Sequence, residues 1–462
     1  LKKDLKSGQV LELNIEKVNT YGVGIAREDG SVFEVPKSLE GEKVRVKLEK
    51  SFQNGKFWKC SLQEVLRPSP GRVDSYCAES RHCAGCGLDF LPYEQQLELK
   101  NAFIRDFFPA AQDIIPCSHQ WHYRNNLTFV LKKDDNRIVG GVYSRKNEKI
   151  YPFHNCAVSP EPVYQLKDSL LNTLNKYATP IEGQPSAGES ILTGVTILYS
   201  FEEKTLLLVL STRGEAPFLH QNEILEECRA QNPKLTGIYH KIEDKTPRGF
   251  YHRDRIIHLW GEKFLIDRFP ETGVKYRLTP TSLIYPNPFE SENLYTWLQS
   301  QLPPSKRILE LYCGSGVGTL HYAQKSKMVY AIEKNKRAIQ DAVFNARLNR
   351  LENIIFIQKE IEKFFHLRDI AEEELDILIL KSPGIVVTDQ SFMKMIQKKN
   401  FQKIIYLSSH PQSMKTDLEN MLSVDYHLKT VQPFDMFPQN HHMEVAAVLE
   451  KKRKIKIFKP KK

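Results

Sequence analysis

Two clusters in this chain combine residue types and spacings that could do chemistry. The first is Cys77, Cys83 and Cys86, spaced C-x5-C-x2-C within CAESRHCAGCG. Three thiolates this close together, with Gly85 and Gly87 permitting sharp turns, can hold one face of a soft metal or an iron-sulfur cluster. A fourth ligand is needed, and Cys60, Cys117 and Cys156 are the candidates. Zinc and iron would use the same four sulfurs, so the spacing leaves both open. The second cluster is residues 307–333, RILELYCGSGVGTLHYAQKSKMVYAIE. It reads as a strand, a turn carrying Gly314, Gly316 and Gly318, a helix, and a second strand ending on Glu333. Glycine lets the backbone turn tightly against a ligand, and an acid about 20 residues further on can accept both hydroxyl hydrogens of a ribose. The spacing GxGxG, rather than GxGxxG, favours S-adenosylmethionine over a dinucleotide. An ordinary strand-to-helix turn of an α/β protein would use the same residues.

These residues need a scaffold, and the chain is long enough to supply several. At 462 residues it exceeds the size at which a single core stops growing, so two to four domains are expected. With 41% hydrophobic and 26% charged residues it has the composition of a folded, soluble protein. No apolar run approaches the length of a membrane span, and the start, LKKDLKSGQ, lacks the apolar core of a signal peptide. A cytoplasmic protein without a membrane partner, acting as a monomer, is therefore expected. Lys plus Arg number 66 against 56 Asp plus Glu, which suits a polyanionic partner, with nucleic acid the first candidate. Part of the excess sits in one basic tail, residues 451–462, KKRKIKIFKPKK. Eight cysteines in a cytosolic chain are not read as a disulfide framework.

The chain divides into four stretches: 1–68, 69–276, 277–450 and the tail 451–462. In the first, Leu11, Leu13 and Ile15 alternate with polar residues, Asp29-Gly30 makes a hairpin turn, and Val44, Val46 and Leu48 alternate with Arg45 and Lys47. Short strands at this spacing predict an OB-like β-barrel whose outward basic residues would face RNA. In the second, residues 94–108 have helical spacing, WHYRNN at 121–126 opens a strand pair, and strands follow at 206–210 and 235–242. An α+β domain around the cysteines is expected there. In the third, strands at 308, 329, 354, 376–380, 404–407 and 445–449 alternate with helices. That is the doubly wound α/β pattern of a class I methyltransferase, with its ligand at the carboxyl ends of the strands.

YGVGIAREDGSVFEVPKSLEGEKVRVKLEK resembles a TRAM domain, an RNA-binding appendage of RNA-modifying enzymes. Taken with the cysteine cluster, the WxYRN stretch, ELYCGSGVG, residues 406–411 and DMFPQNHHMEV, the chain resembles the RNA (uracil-5-)-methyltransferase family nearly end to end. The resemblance implies methyl transfer from S-adenosylmethionine to a uridine of ribosomal or transfer RNA, and a 4Fe-4S cluster held by Cys77, Cys83, Cys86 and Cys156. It implies that Tyr312 and Glu333 touch the cofactor and that Glu444, in HME where the family has HVE, is the general base. Three positions depart from the family pattern. Ser409 stands where the nucleophilic cysteine of Y-V-S-C-N-P belongs, with His410 the one local group that could activate it. Lys381 replaces the acid of D-P-P-R near the cofactor, and Tyr285 replaces the amide of F-F-Q-x-N. A serine hydroxyl is a far weaker nucleophile than a thiolate and needs an adjacent base. The alternative is thus an RNA-binding pseudoenzyme that keeps fold and cluster without the covalent step. Methyl transfer to a base nitrogen would need no cysteine, but KSPG at 381–384 lacks the Asn-Pro-Pro-Tyr or Asp-Pro-Pro-Tyr that such chemistry would suggest.

Overall fold

The computed structural model describes residues 5–80, 83, 85–143, 150–181, 190–243, 254–361 and 374–452. All but the first two residues of the basic tail lie outside this set, as does most of the loop expected around 181–190. The chain forms two compact units, one made of residues 1–103, 117–265 and 437–442, the other of 104–116, 266–436 and 443–462.

The first unit begins with a six-stranded sheet, in the order β1-β5-β6-β4-β3-β2. Its strands are β1 (Val10–Asn14), β2 (Lys17–Val18), β3 (Val23–Glu28), β4 (Ser31–Pro36), β5 (Lys43–Phe52) and β6 (Phe57–Arg67). The alternation read from sequence sets its core: Leu13, Phe33, Val35, Val44, Val46, Leu48, Trp58 and Cys60 are buried together. Some of the outward basic residues expected to face RNA are neutralised. Lys43 and Arg45 pair with Glu12, Arg45 also with Glu64, and Arg27 with Glu16. After helix α1 (Tyr93–Phe107) comes a seven-stranded sheet of β7 (Asn126–Asp134), β8 (Arg137–Tyr143), β9 (Ile150–Pro152), β10 (Ile191–Tyr199), β11 (Leu206–Arg213), β12 (Leu235–Ile242) and β13 (Arg255–Gly261). Helices α2 (Glu161–Lys176) and α3 (Gln221–Gln231) cover it. Val163, Leu166, Leu170 and Leu174 recur every three or four residues, so one stripe of α2 faces the sheet.

In the second unit a short hairpin of β14 (Leu265–Arg268) and β15 (Lys275–Leu278) leads to α4 (Pro288–Ser300). The doubly wound sheet follows: β16 (Arg307–Leu311), α5 (Val317–Ala323), β17 (Met328–Glu333), α6 (Lys336–Leu348), β18 (Ile354–Gln358), β19 (Ile377–Lys381), α7 (Gln390–Lys399), β20 (Lys403–Ser408), α8 (Pro411–Leu422), β21 (Tyr426–Phe434) and β22 (Glu444–Lys451). The spatial order is β18-β17-β16-β19-β20-β22-β21. All neighbours pair in parallel except β22, which runs antiparallel to both β20 and β21. The central strands are mostly apolar because both faces are covered, with Glu310 the acid inside β16. Strand order reverses between β16 and β19, which makes the crevice at their carboxyl ends the place for a ligand.

Candidate active site

Because β16, β17, β19 and β20 are parallel, the turns after Leu311, Glu333, Lys381 and Ser408 share one edge of the sheet. The antiparallel β22 brings its first residue, Glu444, to the same edge. Ser408 pairs with Val445, so Ser409 and Glu444 are the next residues on either side of that pair.

The glycine turn has the close approaches that its sequence predicts. Tyr312, Gly314 and Gly316 all have positive φ (62°, 58° and 74°), and Gly316 caps α5. A Cβ on Gly316 would lie 2.8 Å from Ala342 Cβ, so no other residue fits without moving α6. Glu333 is buried and ties the turn to the next strand. Its Oε2 accepts from Gly314 N at 3.3 Å and its Oε1 from Asn335 N at 2.9 Å. A carboxylate has about four lone-pair sites, so capacity remains for a ribose diol.

The substituted positions each have a partner of their own. Lys381 Nζ is 2.9 Å from Glu310 Oε1, and Thr319 donates to Glu310 Oε2 at 2.5 Å. Burial works against the charge on Lys381, but Glu310 outweighs it and holds the ammonium well above the ordinary lysine range. The ammonium also lies 5.5 Å from the centre of the Tyr295 ring, and a Cβ on Gly318 would come within 2.8 Å of it. Lys381 therefore fills the space under the first turn of α5. Tyr285 donates a hydrogen bond to Glu444, and its ring centre is 6.2 Å from that of Tyr295. Glu444 is 4% exposed. Burial pushes its carboxyl up to about 7, against the opposing pull of Tyr285 and Lys381. Such a value suits a proton acceptor at neutral pH. Asn287, three residues before Glu290, is fully buried as the N-cap of α4 and also donates to Met436 O.

Ser409 Oγ lies 3.0 Å from His410 Nδ1. With the imidazole proton on Nε2, Nδ1 accepts the serine proton. The loop after β19 runs against this histidine, since a Cβ on Gly384 would be 2.7 Å from His410 Nδ1. Behind it, Asp417 of α8 is fully buried and accepts from Tyr406 Oη (2.5 Å), Val387 N (3.0 Å), Thr388 N (2.9 Å) and Thr388 Oγ1 (2.6 Å). Glu310, Tyr295 and Asp417 are site residues that motif reading missed. The signal was an acid inside an otherwise apolar strand for Glu310, and an acid on the buried Met414-Leu418-Met421 face of α8 for Asp417.

The cysteines lie in the first unit. Cys60 belongs to the N-terminal core, where burial pushes its thiol up to about 12, and Cys117 is buried with its Sγ 3.2 Å from His119 O. Cys77, Cys83, Cys86 and Cys156 are free thiols, and every pair among them is close enough for charge on one to raise another. Burial raises Cys77, Cys83 and Cys86 above the ordinary thiol range, and Gly85 N points at Cys83 Sγ at 3.3 Å. Among the described residues, no group of three or more His, Cys, Asp or Glu is arranged to hold a metal ion. The four cysteines implied as ligands nonetheless share one neighbourhood of the first unit. Also among the described residues, no helix is long and apolar enough to cross a membrane.

Residues 263–452 match the family described as tRNA (uracil-5-)-methyltransferase. The chain is 27% identical over 461 residues to an uncharacterized RNA methyltransferase of Halalkalibacterium halodurans, covering 97% of this chain and 98% of that one. It is 28% identical over 456 residues to another of Listeria monocytogenes, covering 96% and 98%. Among solved structures it is similar to the Pyrococcus abyssi tRNA (uracil-54, C5)-methyltransferase in complex with S-adenosyl-L-homocysteine. That likeness has a TM-score of 0.72 at 20% identity, over 95% of this chain and 100% of that one, and it establishes a shared fold.

Proposed function

We propose that this chain, whose residues 263–452 match the tRNA (uracil-5-)-methyltransferase family and which is similar to RNA methyltransferases over nearly its whole length, methylates C5 of a uridine in ribosomal or transfer RNA with S-adenosylmethionine as donor. The observation that carries the reading is Glu444, a buried carboxyl raised to about 7 at the sheet edge where the glycine turn and Ser409 also end. The cofactor would rest against Tyr312, Gly314 and Gly316, with Glu333 on its ribose. When bound it supplies an electrophilic methyl group on a sulfonium.

The residues divide the remaining work. Ser409 Oγ adds to C6 of the uracil while His410 Nδ1 takes the hydroxyl proton, and the C5–C6 π pair moves toward C5 and the C4 carbonyl as an enolate. C5 then takes the methyl group. The Glu444 carboxylate removes the C5 proton, that pair restores the C5–C6 double bond, and Ser409 leaves as His410 returns its proton. Tyr285 holds Glu444 in place, and Lys381 and Glu310 fix the floor beneath the turn. A second reading, an RNA- and cofactor-binding protein without the covalent step, is favoured by Ser409 itself. Trapping on RNA containing 5-fluorouridine separates the two, because fluorine cannot leave as a proton does. A covalent adduct at Ser409 is expected; tight RNA binding with no adduct and no methyl transfer to total RNA would establish the second reading.

For the thiols we propose a 4Fe-4S cluster on Cys77, Cys83, Cys86 and Cys156. Support comes from the donor set: four sulfurs, with a backbone N–H aimed at one of them. A four-iron cluster spreads its ligands more widely than a single ion does. Anaerobically purified protein should be brown, with about four iron atoms per chain. Stoichiometric zinc without iron would overturn this.

A further inference from the structure

The tip of the β5–β6 hairpin contains an arrangement that folding alone does not favour. Phe52 and Phe57 are paired directly across the two strands and are 40% and 41% exposed. Two residues in from them, Lys50 is paired directly with Lys59. A bulge between Leu48 and Lys50 shifts the register, so Lys50 and Phe52 share one face of β5 while Phe57 and Lys59 share the matching face of β6. Both ammonium groups sit over the Phe52 ring, at 5.3 Å and 5.5 Å from its centre.

Like charges directly opposite each other destabilise a strand pair, and two phenylalanines on a hairpin tip leave apolar surface in water. A local conflict of this kind is expected where a surface is kept for binding. The contrast with the far end of the same strands is informative. There Lys43 and Arg45 are matched by Glu12 and Glu64. At the tip, among the described residues, Lys50, Lys56 and Lys59 form no ion pair, although Glu34 is the cross-strand neighbour of Lys59. The tip is held in shape by Trp58 Nε1 donating to Gly55 O (2.9 Å) and Val32 N donating to Lys56 O (2.8 Å). It flanks a shallow concavity of about 310 Å³ lined by Glu34, Phe52, Gln53, Phe57, Trp58 and Lys59.

We infer that Phe52 and Phe57 form a stacking platform for unpaired bases of the RNA substrate, with Lys50, Lys56 and Lys59 on the adjoining phosphates. The inference rests on the RNA-methyltransferase reading above. Partly exposed rings beside cations match a single strand, whose bases offer unstacked faces next to phosphates. A duplex hides its base faces within its own stack.

The test is fluorescence anisotropy of the full chain with a labelled oligouridylate and with a duplex RNA. Phe52→Leu/Phe57→Leu keeps apolar bulk and removes the rings; it should weaken single-strand binding about tenfold per base lost and leave the duplex unaffected. Phe52→Tyr/Phe57→Tyr should bind as the parent does. Lys50→Gln/Lys59→Gln should lower the salt slope by about 0.7 for each phosphate contact removed. Thermal unfolding of the leucine and tyrosine variants should stay close to that of the parent, since the rings sit at an exposed tip, and the glutamine variant should be no less stable. If the parent binds RNA and the leucine variant binds equally well, or loses duplex binding equally, the platform is overturned while the methyltransferase reading stands. If the parent binds no RNA, both fall.

Discussion

The sheet edge that forms the candidate site has two halves, and they have been treated differently. At the ends of β16 and β17, the glycine turn and Glu333 keep the geometry that a nucleoside ligand needs: positive φ at three positions and a buried acid with capacity to spare. At the ends of β19 and β20 and in the loop before α4, three side chains depart from the pattern that the sequence resembles. Yet none is left without a partner. Lys381 is neutralised by Glu310, Tyr285 holds Glu444, and Ser409 meets His410. The difference teaches that the second half is a rebuilt environment rather than a collapsed one. Its charge is balanced group by group, so losing one member should strand another.

That contrast can be broken or sharpened by substitution. The largest effect is expected at Glu444. Replacing it with Gln should lower methyl transfer by about 10²- to 10⁴-fold while leaving S-adenosylhomocysteine affinity unchanged, as measured by calorimetry. In the parent, transfer should rise with pH through about 7 as the carboxyl ionises. Stability runs the other way. A folded-state value raised from 4.5 to about 7 means that Glu444 contributes stability fully below pH 4.5 and loses it as pH rises through 7. The Gln variant should therefore melt at higher temperature than the parent at pH 8. A variant less stable than the parent there would show that the carboxylate is well solvated.

Next in size, Lys381→Met should destabilise the second unit by about 3 kcal/mol, because Glu310 would be left buried and charged. Adding Glu310→Gln should restore most of this in denaturant titrations. Failure of the double variant to recover would mean that the pair is not the unit of balance. In the first half of the edge, Glu333→Gln should weaken S-adenosylhomocysteine by roughly tenfold or somewhat more, with no change in the apparent pKa near 7. The smallest effect expected is a gain: Ser409→Cys should raise the adduct rate on 5-fluorouridine RNA by about tenfold, because a thiol has a useful thiolate fraction near neutrality.

Much of the architecture was legible because its signals are local. Residues 307–333 carry a strand, turn, helix and acid in one run, and each fell where the sequence put it. Strands read at 354, 376–380, 404–407 and 445–449 likewise became β18, β19, β20 and β22. What escaped depends on distance or on broken periodicity. Strand β6 was missed because its pairing with β5 shifts register three times, so no steady alternation of two is visible. Strand β21 is bulged in the same way between Leu428 and Thr430. The Lys381–Glu310 pair joins two strands far apart in sequence, and a lysine read alone signals only a reversed charge. The outward basic residues of β5 looked free in the sequence, whereas cross-strand carboxylates cover Lys43 and Arg45.

Asp417 has a bearing on how this site can change. By accepting from Tyr406, Val387 and Thr388 at once, it clamps the stalks of the loops that follow β19 and β20 without touching Ser409. On the proposed mechanism the position of Ser409 is thus an exchangeable head on a fixed mount, where hydroxyl and thiol could alternate with little effect on the fold.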